Sequence, residues 1–446
     1  MSKHKIAAAA PPEVELEIEK LVYGAYGLAR AADGKVYFIE GALPGDRVRA
    51  RLSRSRKDWD RGWVLERRHD GEPRNVPPCP FFMSCGGCTF QDVPLARSLE
   101  LKREMVAEVL QRLGGFDSAL NVLPTVPCPA PYRYRRRAQL KATVREDRWL
   151  LGFFRRGTHH VVEADRCEVL LPTVDQTRLA LMAAFAGRGF GRHDITHLRV
   201  NATAAGTGVQ VVLSGNILPP DLEPVFAQAR ERVPALSGFV WESYEQKQWG
   251  DPTLEEIVPR QPGGELRYRI GFASFFQVNA YMDEILFDLV SQAVAVRGDD
   301  LIFDLYSGVG TFSLRFAREG ARVVSVEGNQ MSVADARANV AANGLSEERV
   351  RQVCADAEAG MAQLCRAGLT PRAIFLDPSR AGASTAARDL ILAARPERIV
   401  YLSCNAATLA RDLRHLTSAY QLERVTPIDL FPQTAHVEVL AELSKK

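Results

Sequence analysis

The sequence has no long hydrophobic run. Although 46% of its 446 residues are hydrophobic, no stretch approaches the roughly 20 consecutive apolar residues of a membrane-spanning helix. The alanine-rich start is too short for a secretory signal, and residues 1–12 are predicted to be a disordered tail. We therefore expect a cytoplasmic protein that has no membrane partner.

Net charge and cysteine content are also low. Lys and Arg number 57 and Asp and Glu 54, so the formal net charge is only +3. Overall charge therefore does not demand a nucleic-acid partner, and any such partner must be recognised by local clusters. In a chain expected in the cytoplasm, the eight cysteines are more typical of metal ligands, catalytic groups or core residues than of disulfides.

Residues 13–70 are predicted to form a small β-barrel. They alternate apolar and polar residues in short runs separated by glycines, and Asp33-Gly34 is typical of a hairpin turn. The second half of this region is rich in arginine and carries Trp59 and Trp63. A charged run alone is typical of a solvated barrel face, whereas aromatic residues among arginines favour RNA binding by charge and stacking.

A Pro- and Gly-rich loop contains three cysteines, with five residues between Cys79 and Cys85 and two between Cys85 and Cys88. This spacing indicates a metal site, for which Cys128 and Cys167 are candidate fourth ligands. A mononuclear zinc site usually has two close Cys pairs, and only one is present here. A tight set with a distant fourth cysteine also suits an iron–sulfur cluster. Spacing alone leaves the metal open.

Two basic, aromatic stretches follow, at residues 132–137 (Tyr-Arg-Tyr-Arg-Arg-Arg) and 153–156 (Phe-Phe-Arg-Arg). Such interleaving is typical of a surface that contacts phosphates and stacks on bases, although a charged edge strand explains it as well. Alternation between residues 195 and 270 indicates further strands. Residues 71–275 are therefore predicted to form a β-rich, RNA-binding central domain.

From residue 301 onward, strands and helices alternate. The predicted elements of the first unit are a strand (301–305), a Gly-x-Gly turn (308–310), a helix (311–319) and a strand (323–327). Glu327 follows Gly308 by 19 residues, close to the roughly 20 expected for an acid that binds a ribose hydroxyl. In proteins that bind a pyrophosphate, a third glycine follows this turn and allows the helix to pack closely, and Ser313 stands at that position here. A nucleoside without a pyrophosphate therefore fits better than NAD, and S-adenosylmethionine is the candidate.

Polar residues follow later strands of the same predicted sheet, where open α/β sheets bind ligands. Asp377 and Cys404 each come directly after a strand. Cys404 also precedes a helix, whose N-terminus favours the thiolate. His436 and Glu438 lie two residues apart on a final predicted strand and therefore face the same side.

Five motifs, in order, resemble those of the RNA uracil-C5 methyltransferases. They are Gln277-Val-Asn279, Asp304-Leu-Tyr-Ser-Gly-Val-Gly-Thr-Phe-Ser, Leu376-Asp-Pro-Ser-Arg-Ala-Gly382, Ser403-Cys-Asn405 and His436-Val-Glu438. The cysteines and the barrel, which looks like a TRAM domain, resemble the branch that modifies 23S ribosomal RNA and holds a [4Fe-4S] cluster. The resemblance runs from about residue 13 to the C-terminus. It implies an α/β fold in which residues 276–446 form a Rossmann-like, S-adenosylmethionine-dependent methyltransferase domain.

The resemblance also implies residue roles. A Cys404 thiolate would add to carbon 6 of a uracil flipped out of folded RNA, and Glu438 would remove the proton from carbon 5 after methyl transfer. The residues implied to hold S-adenosylmethionine are Gln277, Tyr306, Thr311, Glu327, Asp356 and Asp377. The implied cluster ligands are Cys79, Cys85, Cys88 and Cys167, which selects Cys167 over Cys128.

Two positions depart from the family pattern, because Ser379 and Ala406 stand where the family usually has proline. Without the proline, the unfolded chain has more conformational freedom to lose on folding. This lowers the stability of the folded loop by roughly 0.4–1 kcal/mol. We expect a monomer that methylates carbon 5 of a uridine in ribosomal RNA. One alternative is the same chemistry on tRNA, which the barrel and the cluster disfavour. The other is a catalytically idle RNA-binding or ribosome-assembly factor, against which the intact Cys404 and Glu438 argue.

Overall fold

The computed structural model describes residues 12–117, 120–191, 193–220, 222–261 and 264–446. The predicted tail therefore lies, apart from Pro12, outside the described residues. Among those that are described, no helix combines the length and the apolar character needed to cross a membrane. The chain builds a small barrel, a central sheet, a hairpin and a C-terminal α/β sheet, which confirms the predicted fold class.

The N-terminal sheet is a small barrel. Its strands are β1 (Glu13–Glu17), β2 (Lys20–Val22), β3 (Tyr26–Arg30), β4 (Val36–Glu40), β5 (Arg47–Ser55) and β6 (Trp59–His69). They pair in the order β1-β5-β6-β4-β3-β2. Strands β1 and β2 are the two edge strands of this sheet, and only Ile18 and Glu19 separate them along the chain. The short connection therefore brings the two edges together. The sheet closes around buried Ile39, Val48 and Ala50.

Helix α1 (Leu95–Val109) continues as a π-helical turn to Gly114, and Gly115 ends it with φ at +71°. The amphipathic pattern of residues 95–113, which Gly114-Gly115 ends, predicts this helix, and the structure confirms it. One face of α1 packs through Leu101 and Met105 against the barrel, and another packs through Val106 and Val109 into the core of the C-terminal sheet. Helix α1 therefore fixes the barrel beside the C-terminal domain.

The central sheet follows α1. Its elements are β7 (Arg137–Arg145), β8 (Arg148–Gly152), α2 (Pro172–Phe185), β9 (His197–Ala202), β10 (Val209–Ser214), α3 (Leu222–Arg232), β11 (Leu236–Glu242) and β12 (Gln246–Gly250). The strands pair in the order β12-β11-β10-β9-β7-β8. A separate hairpin, β13 (Leu254–Gln261) and β14 (Gly264–Ile270), leads to the C-terminal sheet.

The C-terminal sheet is doubly wound. Its elements are α4 (Asp288–Val294), β15 (Leu301–Leu305), α5 (Thr311–Arg318), β16 (Arg322–Glu327), α6 (Gln330–Ala342), β17 (Val350–Cys354), α7 (Ala357–Arg366), β18 (Ala373–Leu376), α8 (Thr385–Ala394), β19 (Arg398–Ser403), α9 (Ala406–Leu416), β20 (Tyr420–Ile428) and β21 (Glu438–Lys445). The elements of its first unit, β15, α5 and β16, start within one residue of the predicted positions. The strand order is β17-β16-β15-β18-β19-β21-β20. Helices cover both faces, so the inner strands are mostly apolar, with buried Asp304 in β15 and buried Ser325 in β16 among the exceptions.

Strand β21 brings a second set of residues to the edge at which the parallel strands of this sheet end. It runs antiparallel to β19, whereas β15 to β19 are mutually parallel. The beginning of β21 therefore lies at the same edge as the ends of the parallel strands. The alternation of residues 434–440 predicts a strand over that whole stretch. The strand starts only at Glu438, so the prediction is wrong for residues 434–437, which form a bend and an irregular segment.

Candidate active site

A first cavity opens where β15 and β18 end. It is lined by Phe275, Phe276, Gln277, Asp304, Tyr306, Ser307, Gly308, Thr311, Phe312 and Asp377. Beyond β15 the backbone turns sharply, and Tyr306, Gly308 and Gly310 have φ values of 62°, 55° and 83°. Glycine adopts this conformation without strain. Tyr306 does so at a cost of about 1–3 kcal/mol, and such strain is typical of ligand-binding turns.

Four of the six residues predicted to hold the cofactor line this cavity: Gln277, Tyr306, Thr311 and Asp377. Glu327 is not among its lining residues, but its carboxylate accepts hydrogen bonds from the N–H groups of Gly308 at 2.9 Å and Asn329 at 2.8 Å.

Asp356 lies one strand further along the sheet and is exposed. Its carboxylate accepts a hydrogen bond from the N–H of Ala359 at 2.8 Å and so caps helix α7. The structure therefore brings Glu327 to the turn of the cavity through a direct bond and leaves Asp356 outside the lining.

The chemistry of this cavity fits a cationic nucleoside such as S-adenosylmethionine. Burial raises the pKa of Asp304 to about 7 and that of Asp377 to about 7. The charge of Asp304 adds to the shift at Asp377. A cation between such carboxyls would relieve their repulsion. At the same wall, the buried Ser307 Oγ has no hydrogen-bond partner within the described part of the chain.

Cys404 and Glu438 come together on neighbouring strands. Ser403 pairs with Val439 across β19 and β21, and this antiparallel register places Cys404 opposite Glu438. Asp377 connects the pair to the first cavity. Its charge raises the pKa values of both Cys404 and Glu438, and its carboxylate accepts a hydrogen bond from Gln277 Nε2 at 3.3 Å. The predicted nucleophile and base therefore lie beside the predicted cofactor site.

The predicted thiolate character of Cys404 is wrong for the resting site. Burial, followed by the charges of Glu438 and Asp377, raises the pKa of Cys404 to about 11, against a smaller lowering by Arg380. Burial and Asp377 raise the pKa of Glu438 to about 8. Both groups are therefore largely protonated at neutral pH.

A second, larger cavity, of about 750 Å³, reaches Cys404 from the surface. The barrel contributes Tyr23 and Tyr26, the cysteine loop contributes Gly86 and Gly87, and the catalytic edge contributes Arg380, Cys404, Asn405 and His436. The central sheet supplies positive and aromatic side chains, which are Lys141, Phe153, Phe154, Arg155, Arg156 and His159. A passage with cationic and aromatic walls suits a nucleic-acid base and its phosphates.

Comparisons with known proteins identify the family of this chain. Residues 253–446 match the family model described as tRNA (uracil-5-)-methyltransferase. An uncharacterized RNA methyltransferase of Halalkalibacterium halodurans is 30% identical, with 100% of each chain covered. Another, of Thermosynechococcus vestitus, is 33% identical, with 97% of this chain and 98% of the relative covered. The chain belongs to the RNA uracil-5-methyltransferase family. It is an S-adenosylmethionine-dependent RNA methyltransferase.

A solved structure shares the overall fold of this methyltransferase. The tRNA (uracil-54, C5)-methyltransferase of Pyrococcus abyssi, in complex with S-adenosyl-L-homocysteine, superimposes with a TM-score of 0.72 at 24% identity. The match covers 96% of this chain and 99% of that one. The architecture described above therefore also occurs in an enzyme whose name specifies tRNA.

The four cysteines implied as cluster ligands share one cavity of the methyltransferase. Cys79, Cys85, Cys88 and Cys167 all line it. Cys128 lies elsewhere, with its sulfur accepting a hydrogen bond from Asn279 Nδ2 at 3.3 Å. Within the described ranges, no group of three or more His, Cys, Asp or Glu side chains is placed to hold a single metal ion. A four-iron cluster differs from a single ion in taking one thiolate at each iron around a larger body.

The predicted RNA contact at residues 132–137 is wrong for part of that stretch. Tyr134 and Arg136 are buried, and Arg136 forms an ion pair with Glu256. Their alternation with exposed Arg133 shows that this segment supports the core on one face. By contrast, residues 153–156 line the large cavity. Composition alone could not separate the two stretches, since both mix arginine with aromatic residues.

Two site residues were not predicted from the sequence. Arg380 lines the large cavity and lowers the pKa values of both Cys404 and Glu438. Its place three residues after Asp377, in a family motif, was the available signal. Tyr23 also lines the cavity, but no local pattern connects it with a loop more than 380 residues away.

Proposed function

We propose that this methyltransferase transfers a methyl group to carbon 5 of a uridine in ribosomal RNA, through a covalent bond between Cys404 Sγ and carbon 6 of the base. One observation carries the proposal. Cys404 and Glu438 face each other across β19 and β21. Cys404 lines the large cavity, and Asp377, which raises the pKa of both groups, lines the carboxyl-lined cavity. Gln277, Tyr306, Thr311 and Asp377 would hold S-adenosylmethionine, and Glu327 would bind its ribose.

In the proposed reaction, the Cys404 thiol gives its proton to solvent through the open large cavity. Its sulfur then adds to carbon 6, which places the electron pair on carbon 5 as an enolate. S-adenosylmethionine would supply an electrophilic methyl group to carbon 5, and S-adenosylhomocysteine would leave with the electron pair of the broken bond. The ionised form of Glu438 then accepts the carbon-5 proton, and the re-formed double bond expels the thiolate. Arg380 favours both anions, because its charge lowers the two pKa values.

We further propose that residues 13–70, 71–275 and 276–446 act as a barrel that contacts RNA, a cluster-bearing central domain and a methyltransferase domain. The cysteine loop holds the basic 153–156 stretch through its backbone. The N–H of Gly86 donates to the carbonyl of Phe154 at 3.0 Å, and Arg156 donates to the carbonyls of Ser84 and Cys88, at 2.9 Å in both cases. A [4Fe-4S] cluster on the four cysteines would therefore stabilise an RNA-binding wall.

Cys85→Ser is expected to lower bound iron and to weaken RNA binding by about 10-fold, since the 153–156 wall would lose its support. Binding of S-adenosylmethionine should stay within about 2-fold, because the first cavity shares no lining residue with the cysteine cavity. Iron analysis, RNA filter binding and calorimetric titration with S-adenosylmethionine measure these effects. Exposed Cys354 gives the matched control, Cys354→Ser. A folded, iron-free Cys85→Ser protein with full RNA affinity would refute the supporting role.

The same chemistry on tRNA is the second candidate. Its specific support is the shared architecture with the Pyrococcus abyssi enzyme, which includes almost the full length of both chains. The presence of a barrel therefore does not by itself favour ribosomal RNA. We propose ribosomal RNA because of the four-cysteine cavity, since the sequence resemblance associates these cysteines with the branch of the family that modifies 23S ribosomal RNA.

An in vitro assay distinguishes the ribosomal RNA substrate from the tRNA substrate. The purified protein is incubated with labelled S-adenosylmethionine and, separately, with 23S ribosomal RNA or tRNA. We expect 5-methyluridine to form in ribosomal RNA taken from cells that lack this protein, and mass spectrometry of digested RNA locates the position. Product in tRNA alone would replace the ribosomal assignment by the tRNA one. RNA binding without 5-methyluridine in either pool would support a catalytically idle factor.

A further inference from the structure

Tyr23 of the barrel reaches the loop that carries the catalytic cysteine. It lies in the turn between β2 and β3. Its hydroxyl accepts a hydrogen bond from the N–H of Ala406 at 3.1 Å and donates one to Asn405 Oδ1 at 3.4 Å. These are the two residues that directly follow Cys404. A side chain from the N-terminal barrel therefore contacts the loop that carries the nucleophile.

The turn that carries Tyr23 is held firmly. Gly24 and Ala25 adopt positive φ values of 91° and 57°, and Ala25 is buried against Leu101 and Met105 of α1. Lys20, just before the turn, forms an ion pair with Glu108 of the same helix. Because α1 also packs into the C-terminal core, the hydroxyl of Tyr23 has a defined position relative to Cys404.

Asn405 and Ala406 in turn order the loop around Cys404. The Asn405 side chain accepts from the N–H of Ala407 at 3.1 Å, which caps α9, and donates to the carbonyl of Arg380 at 3.0 Å. Ala406 is fully buried. It carries an N–H that a proline at this position would lack, and a buried N–H without a partner is costly. Tyr23 supplies the acceptor.

We propose that Tyr23 is a positioning residue for Cys404: its hydroxyl accepts the N–H that Ala406 presents in place of proline and so fixes the nucleophile loop to the barrel. The inference rests on the proposed function, in which Cys404 attacks the base. It makes the barrel a part of the catalytic site in addition to an RNA contact. Burial raises the pKa of Tyr23, as do the charges of Cys404 and Glu438. The phenol therefore stays protonated and can donate and accept at once.

A double-mutant cycle between Tyr23→Phe and Ala406→Pro tests the inference. In the natural background, Tyr23→Phe leaves the Ala406 N–H unpaired and should lower kcat by about 10-fold, with the affinity for S-adenosylmethionine unchanged. In the Ala406→Pro background that N–H is gone, so the same change should lower kcat by less than about 2-fold. Proline suits the first helical position, and Asn405 has the extended backbone (φ −143°, ψ 100°) that precedes proline. An equal loss in both backgrounds would overturn the inference.

Alkylation by iodoacetamide, followed at each cysteine by peptide mass spectrometry, gives a readout that needs no RNA. Tyr23→Phe should speed the alkylation of Cys404 by at least about 3-fold, because a looser loop exposes the sulfur, while buried Cys128 stays unchanged. Tyr37→Phe is the control, since Tyr37 packs on the barrel core. An alkylation rate equal to that of Tyr37→Phe would overturn the inference even if Ala406→Pro fails to fold. If no RNA is methylated but Tyr23→Phe still speeds the alkylation of Cys404, the proposed function fails and the positioning contact stands.

Discussion

Cys404→Ser is expected to abolish methyl transfer, with turnover reduced by at least about 10⁴-fold. A serine hydroxyl is a far weaker nucleophile toward carbon 6 than a thiolate, and no other described cysteine lines the large cavity. Transfer of a tritiated methyl group to RNA measures the loss. With RNA that contains 5-fluorouridine, the natural protein should form an adduct that survives denaturing electrophoresis, because fluorine cannot leave as a proton does. Cys404→Ser should form none.

The control for this experiment is Cys354→Ser, which removes an exposed thiol at the end of β17. It should keep the natural turnover and the adduct. Binding of both variants to the same RNA must be compared, so that a loss of turnover is not confused with a loss of affinity. A Cys404→Ser protein that retains a tenth or more of the natural turnover would place the nucleophile elsewhere.

Glu438→Gln is expected to lower turnover by about 10²–10⁴-fold and to trap the covalent intermediate on ordinary RNA. The glutamine amide cannot accept the carbon-5 proton, so the thiolate cannot be expelled after methyl transfer. The methylated RNA should therefore migrate with the protein on denaturing gels. This variant and Cys404→Ser thus separate the two halves of the proposed reaction.

The same substitution tests the electrostatics of the pair. Glu438 contributes to the raised pKa of Cys404, so replacing its carboxyl by a neutral amide should lower that pKa. Cys404 should then be alkylated faster at pH 8 to 9 than in the natural protein, although methylation is lost. Glu423→Gln, an exposed position on β20, is the control and should change neither rate. A Glu438→Gln protein that turns over normally and accumulates no adduct would assign the proton transfer to another group.

Local sequence patterns were sufficient to predict most of the C-terminal domain. The Gly308 turn, the strand at 301–305 and the helix after it depend on neighbouring residues alone, and the structure has them where the periodicity placed them. The position of Cys404 after a strand and before a helix was predictable for the same reason. The alternation of the barrel region likewise predicted short strands.

By itself, then, the sequence determined the order and type of the elements and the chemical groups at the strand ends, because turns and periodicity act over a few residues. Only the tertiary structure decided that β21 places Glu438 opposite Cys404, that buried carboxyls hold the Cys404 proton, and that Arg136 faces Glu256 instead of RNA. It alone brought Tyr23 to Ala406. Register, burial and contacts between distant segments depend on how whole sheets and helices pack, and no short stretch of sequence encodes them.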